Sequence, residues 1–288
     1  MFAIVAGSGG HDLLKTQFAD ATRIGPRATP FGESQPMYRL AGRGGEFHLL
    51  LRHGEAGYSV AAPFVNYRAN IYALRDLGVT RVVAWSGPGA IDLSLRPGQY
   101  VVPDDLIDQT VGRASSFYEG SGLGFIRQWP VFCPELHGLA VRALTRLGLT
   151  HKPRGTYVCT RGPRLETPAE IKMHRSLGAE LVGMTLAPEV FLARELEMCY
   201  AAVCYVTNYA EGLRAAPQHP GMLFEGLLEQ EEWEAVARAV QWLPKIMREI
   251  EPAASGARTC ACGQSMERYR RRGDIGEDWR TWVRAAEE

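Results

Sequence analysis

Polar residues follow two apolar runs near the start of the sequence, and their types suit an anion. Arg52-His53-Gly54 comes directly after Phe47–Leu51. A guanidinium binds phosphate through two parallel hydrogen bonds, and a neighbouring imidazole adds a third donor. Gly7-Ser8-Gly9-Gly10 follows Met1–Ala6, where glycines let backbone N–H groups approach an oxyanion beside the serine hydroxyl. Each element alone is also explained by a tight turn or a surface pair.

Two later turns add hydroxyl groups after further apolar runs. Ser86-Gly87 follows Arg81–Trp85, and Gly183-Met184-Thr185 follows Glu180–Val182. The Thr185 hydroxyl stands at the N-terminus of a predicted helix, beside an apolar side chain. Alternatively, the methionine is a buried core residue next to a helix cap.

A carboxylate and an amide occur later in the chain. Glu166 precedes Thr167-Pro168-Ala169-Glu170, which has the pattern of a capping box with proline at the first helical position. Asn208 ends the last predicted strand, and its amide both donates and accepts hydrogen bonds. Together these groups suit the edge of a heterocycle with adjacent donors and acceptors, although Glu166 could instead only cap the helix.

Short apolar runs alternate with helical patterns, which predicts an α/β fold. The predicted strands are Met1–Ala6, Phe47–Leu51, Arg81–Trp85, Tyr100–Val102, Thr156–Cys159, Glu180–Val182 and Ala201–Val206. The predicted helices are Val65–Leu77, Pro134–Leu147, Pro168–Leu177, Pro188–Met198 and Phe224–Ile250. The polar elements would then lie at strand ends, where such sheets bind ligands. Segment 111–131 lacks periodicity and is predicted as a long, functional surface loop.

The composition argues against large charged partners. The 288 residues contain 32 basic and 32 acidic side chains, so no overall field favours nucleic acid or an anionic membrane. The first apolar run is too short for a signal peptide or a membrane span. We therefore expect a cytoplasmic protein that binds neither nucleic acid nor membrane.

Six cysteines are spread along the chain, and most are expected to be buried apolar residues. Cys260-Ala261-Cys262 is unusual, but no second cysteine pair accompanies it in the sequence, so we predict no metal site. A labile redox pair or plain surface thiols are the alternatives. The irregular stretch after Glu251, with its arginines at 268–272, is predicted to be a solvated tail.

Several short motifs in order resemble the purine nucleoside phosphorylase and methylthioadenosine phosphorylase family. The matching stretches are Arg27-Ala28-Thr29-Pro30-Phe31-Gly32, Arg52-His53-Gly54, Val65-Asn66-Tyr67-Arg68-Ala69-Asn70, Arg96-Pro97-Gly98 with Asp104, Ser116-Phe117-Tyr118, Gly155-Thr156-Tyr157, Gly162-Pro163-Arg164, and Met184-Thr185 with Pro188-Glu189-Val190. The resemblance covers residues 1–250. It implies one α/β nucleoside phosphorylase domain there, with a central mixed, partly barrel-like sheet flanked by helices. Residues 251–288 would form an irregular extension carrying the CxC element, which is similar to that of some microbial members.

The resemblance implies a reaction without a cofactor, in which inorganic phosphate is a co-substrate and attacks a purine nucleoside. No protein nucleophile is then needed. Its catalytic residues would be Arg52, His53 and Asn208. The phosphate-binding residues would be Ser8, Arg52, His53, Ser86, Gly87 and Thr185. Met184 would pack against the ribose.

The resemblance also bears on the base. Members acting on 6-aminopurines usually carry aspartate at the positions of Asn208 and Ala210, whereas members acting on 6-oxopurines carry asparagine and glutamate, as here at Asn208 and Glu166. Glu166 would accept a hydrogen bond from purine N1–H, which adenine lacks at neutral pH. A 6-oxopurine is therefore expected.

The 5′ end of the nucleoside is less defined. An apolar lining that includes Met222 would favour a 5′-methylthio group, whereas His219 would suit a 5′-hydroxyl. The resemblance implies that a neighbouring subunit supplies an aromatic side chain from the long loop, for which Phe125 is the match. The protein would then be a homo-oligomer, a trimer or a hexamer.

Three alternatives stay open. Methylthioadenosine or methylthioinosine would be substrates of the same chemistry. A nucleosidase would use water, but it needs no anion clamp such as Arg52-His53. A purine-binding protein without activity on the same scaffold is the third alternative, which the absence of aspartate at Ala210 could suggest.

Overall fold

A computed structural model describes residues 1–18, 20–214, 222–223 and 228–283. Its strands are β1 (Phe2–Ala6), β2 (Thr22–Gly25), β3 (Ala28–Thr29), β4 (Gly32–Glu33), β5 (Met37–Gly42), β6 (Gly45–Leu51), β7 (Arg81–Ser86), β8 (Gly89–Ala90), β9 (Tyr100–Val101), β10 (Asp105–Gln109), β11 (His151–Lys152), β12 (Thr156–Thr160), β13 (Leu181–Gly183), β14 (Cys199–Tyr205) and β15 (Asn208–Tyr209). Its α-helices are α1 (Gly10–Thr16), α2 (Tyr67–Asp76), α3 (Pro134–Arg146), α4 (Pro168–Ser176), α5 (Leu186–Glu195), α6 (Gln230–Gln241), α7 (Leu243–Ala254) and α8 (Glu267–Arg272).

An eight-stranded mixed sheet forms the larger layer, in the order β11-β9-β14-β7-β1-β6-β5-β2. Its central strands β14, β7, β1 and β6 are parallel and read as continuous apolar runs, because both faces are covered. Ala6 pairs with Leu51 on one side and Trp85 on the other. The turns that follow these three strands therefore emerge side by side.

A second, five-stranded sheet has the order β10-β12-β13-β8-β15. The chain passes from the larger to the smaller sheet over four short connections, from β7 to β8, β9 to β10, β11 to β12 and β14 to β15. The prediction of an α/β fold with mixed strands flanked by helices is confirmed. Besides these two sheets, β3 and β4 form a small two-stranded sheet.

The predicted helices form, with some different bounds. The capping box at Thr167 is present, because its hydroxyl accepts from the Glu170 N–H while the Glu170 carboxylate accepts from the Thr167 N–H. The helix predicted at Phe224–Ile250 is in fact two helices, α6 and α7, which meet at Trp242; residues 224–227 lie outside the described part. No helix in the described ranges is long and apolar enough to cross a bilayer.

The prediction of a solvated, irregular tail is only partly right, because Arg268, Arg271 and Arg272 are exposed but the described tail contains helices and buried side chains. The predicted boundary at residue 250 falls inside α7, and the chain beyond it packs on the core through Met266, Tyr269, Trp279 and Trp282. Within the arginine-rich stretch, Arg270 is largely buried and forms an ion pair with Glu197. The tail is therefore an integral layer of the fold.

The sequence suggested that the CxC element has no further cysteines near it, but the structure places two others beside it. The sulfur atoms of Cys133, Cys199, Cys260 and Cys262 all lie within 4.8 Å of one another. Sequence spacing could not reveal this cluster, because its members come from three distant segments.

Candidate active site

A cavity of about 890 Å³ opens at the carboxyl ends of β1, β6, β7, β13 and β14. The predicted residues that line it are Ser8, Arg52, His53, Ser86, Gly87, Glu166, Met184, Thr185 and Asn208. The structure thus brings nine of the predicted side chains or turns to one place. The reason is geometric, since parallel strands with level ends deliver their following residues to one edge.

Arg52 lies at the floor of the cavity and is completely buried. Its Nε and Nη2 donate to the two carboxylate oxygens of Glu189, at 2.5 and 2.8 Å, and the Tyr200 hydroxyl donates to the same carboxylate at 2.7 Å. Burial opposes the charge on Arg52, but Glu189 outweighs it and raises the pKa of the guanidinium. The guanidinium edge that carries Nε and Nη2 therefore binds Glu189, and it is not available for two parallel hydrogen bonds to a phosphate.

The remaining nitrogen of Arg52 faces the first glycine turn. Nη1 makes only a long contact of 3.4 Å to the Trp85 carbonyl, and a Cβ added at Gly7 would lie 2.8 Å from Nη1. Glycine at this position therefore lets the turn lie against the guanidinium. Arg52 offers one donor to an anion, in a direction that Glu189 determines.

His53 adds an acceptor where the sequence had suggested a donor. Its Nδ1 lies 2.8 Å from the Val60 carbonyl, so Nδ1 carries the proton. Burial and the adjacent Arg52 charge lower the pKa of His53 to about 4. The ring is therefore neutral at pH 7, and Nε2 presents a lone pair. The Tyr58 ring, which sequence reasoning missed, stacks on it with centroids 4.0 Å apart.

Hydroxyl groups converge beside Arg52 and His53. Ser86 Oγ lies 3.4 Å from Thr185 Oγ1 and 3.3 Å from the Tyr157 hydroxyl, and all three side chains are buried. Burial raises the pKa of Tyr157 well above its usual range, so it remains a neutral hydroxyl. Ser8 lies across the cavity and is exposed. The cluster can donate several hydrogen bonds to one anion.

The Met184 side chain forms a wall that is positioned by two neighbours. A Cβ at Gly162 would lie 2.4 Å from the Met184 sulfur, and the φ of Gly162 is +65°, so only glycine fits there. Arg113, from the long loop, donates to the carbonyls of Met184 and Ala187, each at 2.7 Å. Arg113 has no periodic signal in the sequence, which explains why it was missed.

Asn208 and Glu166 form the opposite, polar end of the cavity. Asn208 Oδ1 accepts from Thr207 at 2.6 Å, and Nδ2 donates to the Tyr209 carbonyl at 2.7 Å. One N–H and one lone pair of the amide stay available. Glu166 accepts from Thr160 at 2.5 Å. Glu166 lines the cavity, while capping of α4 is done by Thr167 and Glu170.

Neither residue predicted for the 5′ pocket lines this cavity in the described part of the chain, and the role expected for Phe125 concerns the cavity of a neighbouring subunit. Phe125 is 84% exposed and does not line the cavity of its own chain, and Met222 is 52% exposed and does not line it either. Apolar side chains that follow Met222 in the sequence and do line the cavity are Leu223, Leu228, Trp233 and Val236. His219 falls outside the described residues.

The chain matches the family model of the phosphorylase superfamily over residues 2–241. It is 39% identical over 272 residues to the 6-oxopurine nucleoside phosphorylase of Pyrococcus furiosus, covering 92% of this chain and 97% of that protein. It is 40% identical over 221 residues to a "probable S-methyl-5′-thioinosine phosphorylase" of Methanopyrus kandleri, covering 76% and 82%. The structure is similar to that of methylthioadenosine phosphorylase from Schistosoma mansoni with adenine, with a TM-score of 0.79, 25% identity and 98% of each chain covered.

Proposed function

The chain belongs to the phosphorylase superfamily, and we propose that it is a purine nucleoside phosphorylase that prefers 6-oxopurine bases. It would convert a purine nucleoside and phosphate into the free base and a pentose 1-phosphate. One observation carries this proposal. An anion site of Arg52, Ser86 and Thr185 lies in the same cavity as Asn208 and Glu166, which suit a purine edge.

Phosphate would bind as the hydrogen phosphate dianion. Arg52 Nη1 and the hydroxyls of Ser8, Ser86 and Thr185 donate to its oxygens, together with backbone N–H groups of the glycine turn. The neutral His53 Nε2 accepts a hydrogen bond from the P–OH group, because Nδ1 carries the ring proton and donates to the Val60 carbonyl. This arrangement fixes the orientation of the attacking oxygen.

Bond cleavage would need no nucleophile from the protein. The C1′–N9 bond breaks with its electron pair moving to the base, and a phosphate oxygen bonds to C1′ from the opposite face. The phosphate charge stabilises the cationic sugar as the base leaves. Met184 packs against the sugar and excludes water from it.

The base would be held by Asn208 and Glu166. The one available Asn208 N–H donates to O6, and Oδ1 accepts from N7–H once the departing purine takes up a proton from solvent at N7. Glu166 accepts from N1–H. Adenine has no hydrogen on N1 at neutral pH, so it would leave the buried Glu166 carboxylate without a donor from the base. Such an unpaired group is costly, which supports a 6-oxo preference.

A second candidate substrate is a 5′-methylthio nucleoside with a 6-oxo base. The observation in its favour is the apolar side of the cavity, formed by Leu223, Leu228, Trp233 and Val236. A methylthio group would gain more from this surface than a hydroxyl would. The relative from Methanopyrus kandleri is consistent with this choice.

We further propose that the active protein is a homo-oligomer, a trimer or a hexamer, in the cytoplasm. The exposure of Phe125 and Trp129 on the long loop supports a contact with another copy. The described cysteines are all free thiols, which fits a reducing compartment.

The experiment is a nucleoside panel with saturating phosphate, scored by the base released. Inosine, guanosine and methylthioinosine are compared with adenosine and methylthioadenosine. We expect hypoxanthine and guanine release at least about 100-fold faster than adenine release, because adenine offers Glu166 no hydrogen-bond donor. Adenine release at an equal or higher rate would contradict the base assignment, and Glu166→Gln should narrow the difference.

A further inference from the structure

Four cysteines that have no part in the active site converge at one point of the structure. Cys133 precedes α3, Cys199 begins β14, and Cys260 and Cys262 flank Ala261 in the tail. Their sulfur atoms all lie within 4.8 Å of one another, and Cys199 Sγ is 3.3 Å from Cys260 Sγ. None of the four lines the large cavity.

The backbone around the cluster is held firmly. The Cys133 N–H donates to the Tyr200 carbonyl at 2.8 Å, which fixes α3 beside the start of β14. On the tail side, the Glu135 carboxylate accepts from the N–H groups of Thr259 and Cys260, at 2.8 and 3.1 Å. The four sulfurs are therefore brought together by hydrogen bonds that do not involve the sulfurs.

A buried arginine supports the same arrangement. Arg81 is 2% exposed and donates to Glu135 at 2.6 Å. It also donates to the carbonyls of Ala254, Gly256 and Ala257, which lead into the CxC element. Hydrogen-bonding groups such as Arg81 and Glu135 fix the positions of nearby metal-ligating side chains before a metal ion binds.

The chemistry of the set is that of a soft metal ion. Four thiolates around a tetrahedral zinc ion have Zn–S bonds of about 2.3 Å and so lie about 3.8 Å from one another. The sulfurs lie within 4.8 Å of one another and the Cys199–Cys260 pair is 3.3 Å apart, so small shifts, inward for some pairs and outward for this one, reach that spacing. Three of the cysteines are buried and Cys260 is partly exposed, which leaves an entry path to a closed site. We propose that Cys133, Cys199, Cys260 and Cys262 form a structural zinc site.

The proposed site would fasten the tail to the body of the protein. It joins α3, β14 and the segment that leads to Met266 and Tyr269, both buried. The Tyr269 hydroxyl in turn accepts from the Phe125 N–H at 2.8 Å, so the tail contacts the long loop. Metal binding would release the thiol protons to the buffer and stabilise the folded state. The proposed zinc site does not depend on the proposed enzymatic reaction.

The first experiment measures metal on the full-length protein, purified under reducing conditions without chelator. We expect about one zinc per chain by elemental analysis. After removal of zinc, titration with Co²⁺ should give the visible bands and the thiolate charge-transfer absorption of a tetrahedral sulfur site. No tight zinc binding and no such spectrum, or four cysteines recovered as two disulfides without metal, would overturn the proposal.

The second experiment uses variants with a matched control. Cys262→Ser and Cys133→Ser should lose most of the bound zinc, and chelator should no longer lower their melting temperature. Cys159→Ser removes a buried thiol that contacts Ala187 instead of the cluster, and it should keep full zinc content. Equal zinc content in all three variants would also overturn the proposal. Should a variant fail to fold, the cobalt spectrum of the unaltered protein still decides.

Discussion

At the scale of single residues, Arg52 depends on Glu189 for both its charge and its direction. The Arg52 side chain is 0% exposed and the Glu189 side chain is 1% exposed, and two hydrogen bonds join them. A buried ion pair contributes little net stability over apolar residues, but removing one partner leaves an uncompensated charge. Glu189 is therefore a positioning residue, because it contacts the arginine and does not line the cavity.

Glu189→Gln should weaken both the fold and the phosphate site. We expect the free energy of unfolding to fall by about 3–5 kcal/mol, since the Arg52 charge stays buried without its partner. The KM for phosphate should rise more than the KM for the nucleoside. Urea unfolding and steady-state kinetics measure these effects. Glu234→Gln, in an exposed pair with Arg238, is the control and should change stability by less than about 1 kcal/mol. Unchanged phosphate KM in the folded Glu189 variant would contradict the assignment.

The low pKa of His53 makes stability depend on pH in a defined window. The unfolded side chain titrates near 6.5 and the folded one near 4, because burial and Arg52 disfavour its charge. Between these values the unfolded chain binds more protons, so the free energy of unfolding falls with decreasing pH by at most about 1.4 kcal/mol per pH unit. Unfolding of the wild type and His53→Gln is compared at pH 7.5, 6 and 5. The variant should lose less stability on acidification, and parallel curves would refute a neutral His53.

The site residues at strand ends were predictable from the sequence, whereas the residues that hold them in position were not. Ser8, Arg52, Ser86 and Thr185 stand next to apolar runs, and a parallel sheet must bring such ends together. In the sequence, Glu189 is a charged residue within a mostly apolar predicted helix. Only the fold shows that it forms an ion pair with Arg52. The same holds for Tyr157 and Thr160, whose hydroxyl partners come from other strands or loops.

At the scale of elements, β12 and β13 approach too closely for a side chain at position 183. A Cβ at Gly183 would lie 2.0 Å from the Tyr157 hydroxyl. Gly183→Ala should therefore push Tyr157 away from Ser86 and raise the KM for phosphate at least about tenfold, or about 1.4 kcal/mol. Gly122→Ala, where nothing lies within 4 Å, is the control. Equal kinetics of the two variants would show that this close approach does not shape the phosphate site.

The missed elements share a physical cause. β2 and β10 are largely exposed edge strands with burial patterns that mix polar and apolar residues, so neither shows an apolar run or a clear alternation. The tail lacked periodicity because its buried residues, such as Tyr269 and Trp279, are isolated anchors between polar stretches. Tertiary contacts, not local pattern, define these segments.

At the scale of the whole molecule, the long loop (residues 111–131) is hydrogen-bonded both to the body of the protein and to the tail. Its Phe117 N–H and Ser116 hydroxyl donate to Glu195, and its Phe125 N–H donates to Tyr269. The backbone at Phe125 is thus held while its ring stays exposed. A fixed, exposed aromatic ring is suited to contact a second copy of the chain.

Phe125→Ala tests the proposed contribution to a neighbouring cavity. We expect the KM for the nucleoside to rise about tenfold, or about 1.4 kcal/mol, while the KM for phosphate stays unchanged. Val111→Ala, 67% exposed on the same loop, is the control and should have a smaller effect. Steady-state kinetics and analytical ultracentrifugation are both needed. Equal effects of the two variants, or a monomeric and fully active wild type, would refute the shared site.

The most direct test of the central claim is the dependence of inosine cleavage on phosphate. Hypoxanthine release is measured in buffer free of phosphate and then over a phosphate titration, with the sugar product identified in each sample. We predict saturable dependence on phosphate, ribose 1-phosphate as the product, and a negligible rate without phosphate. An undiminished rate without phosphate, with free ribose as the product, would contradict the account.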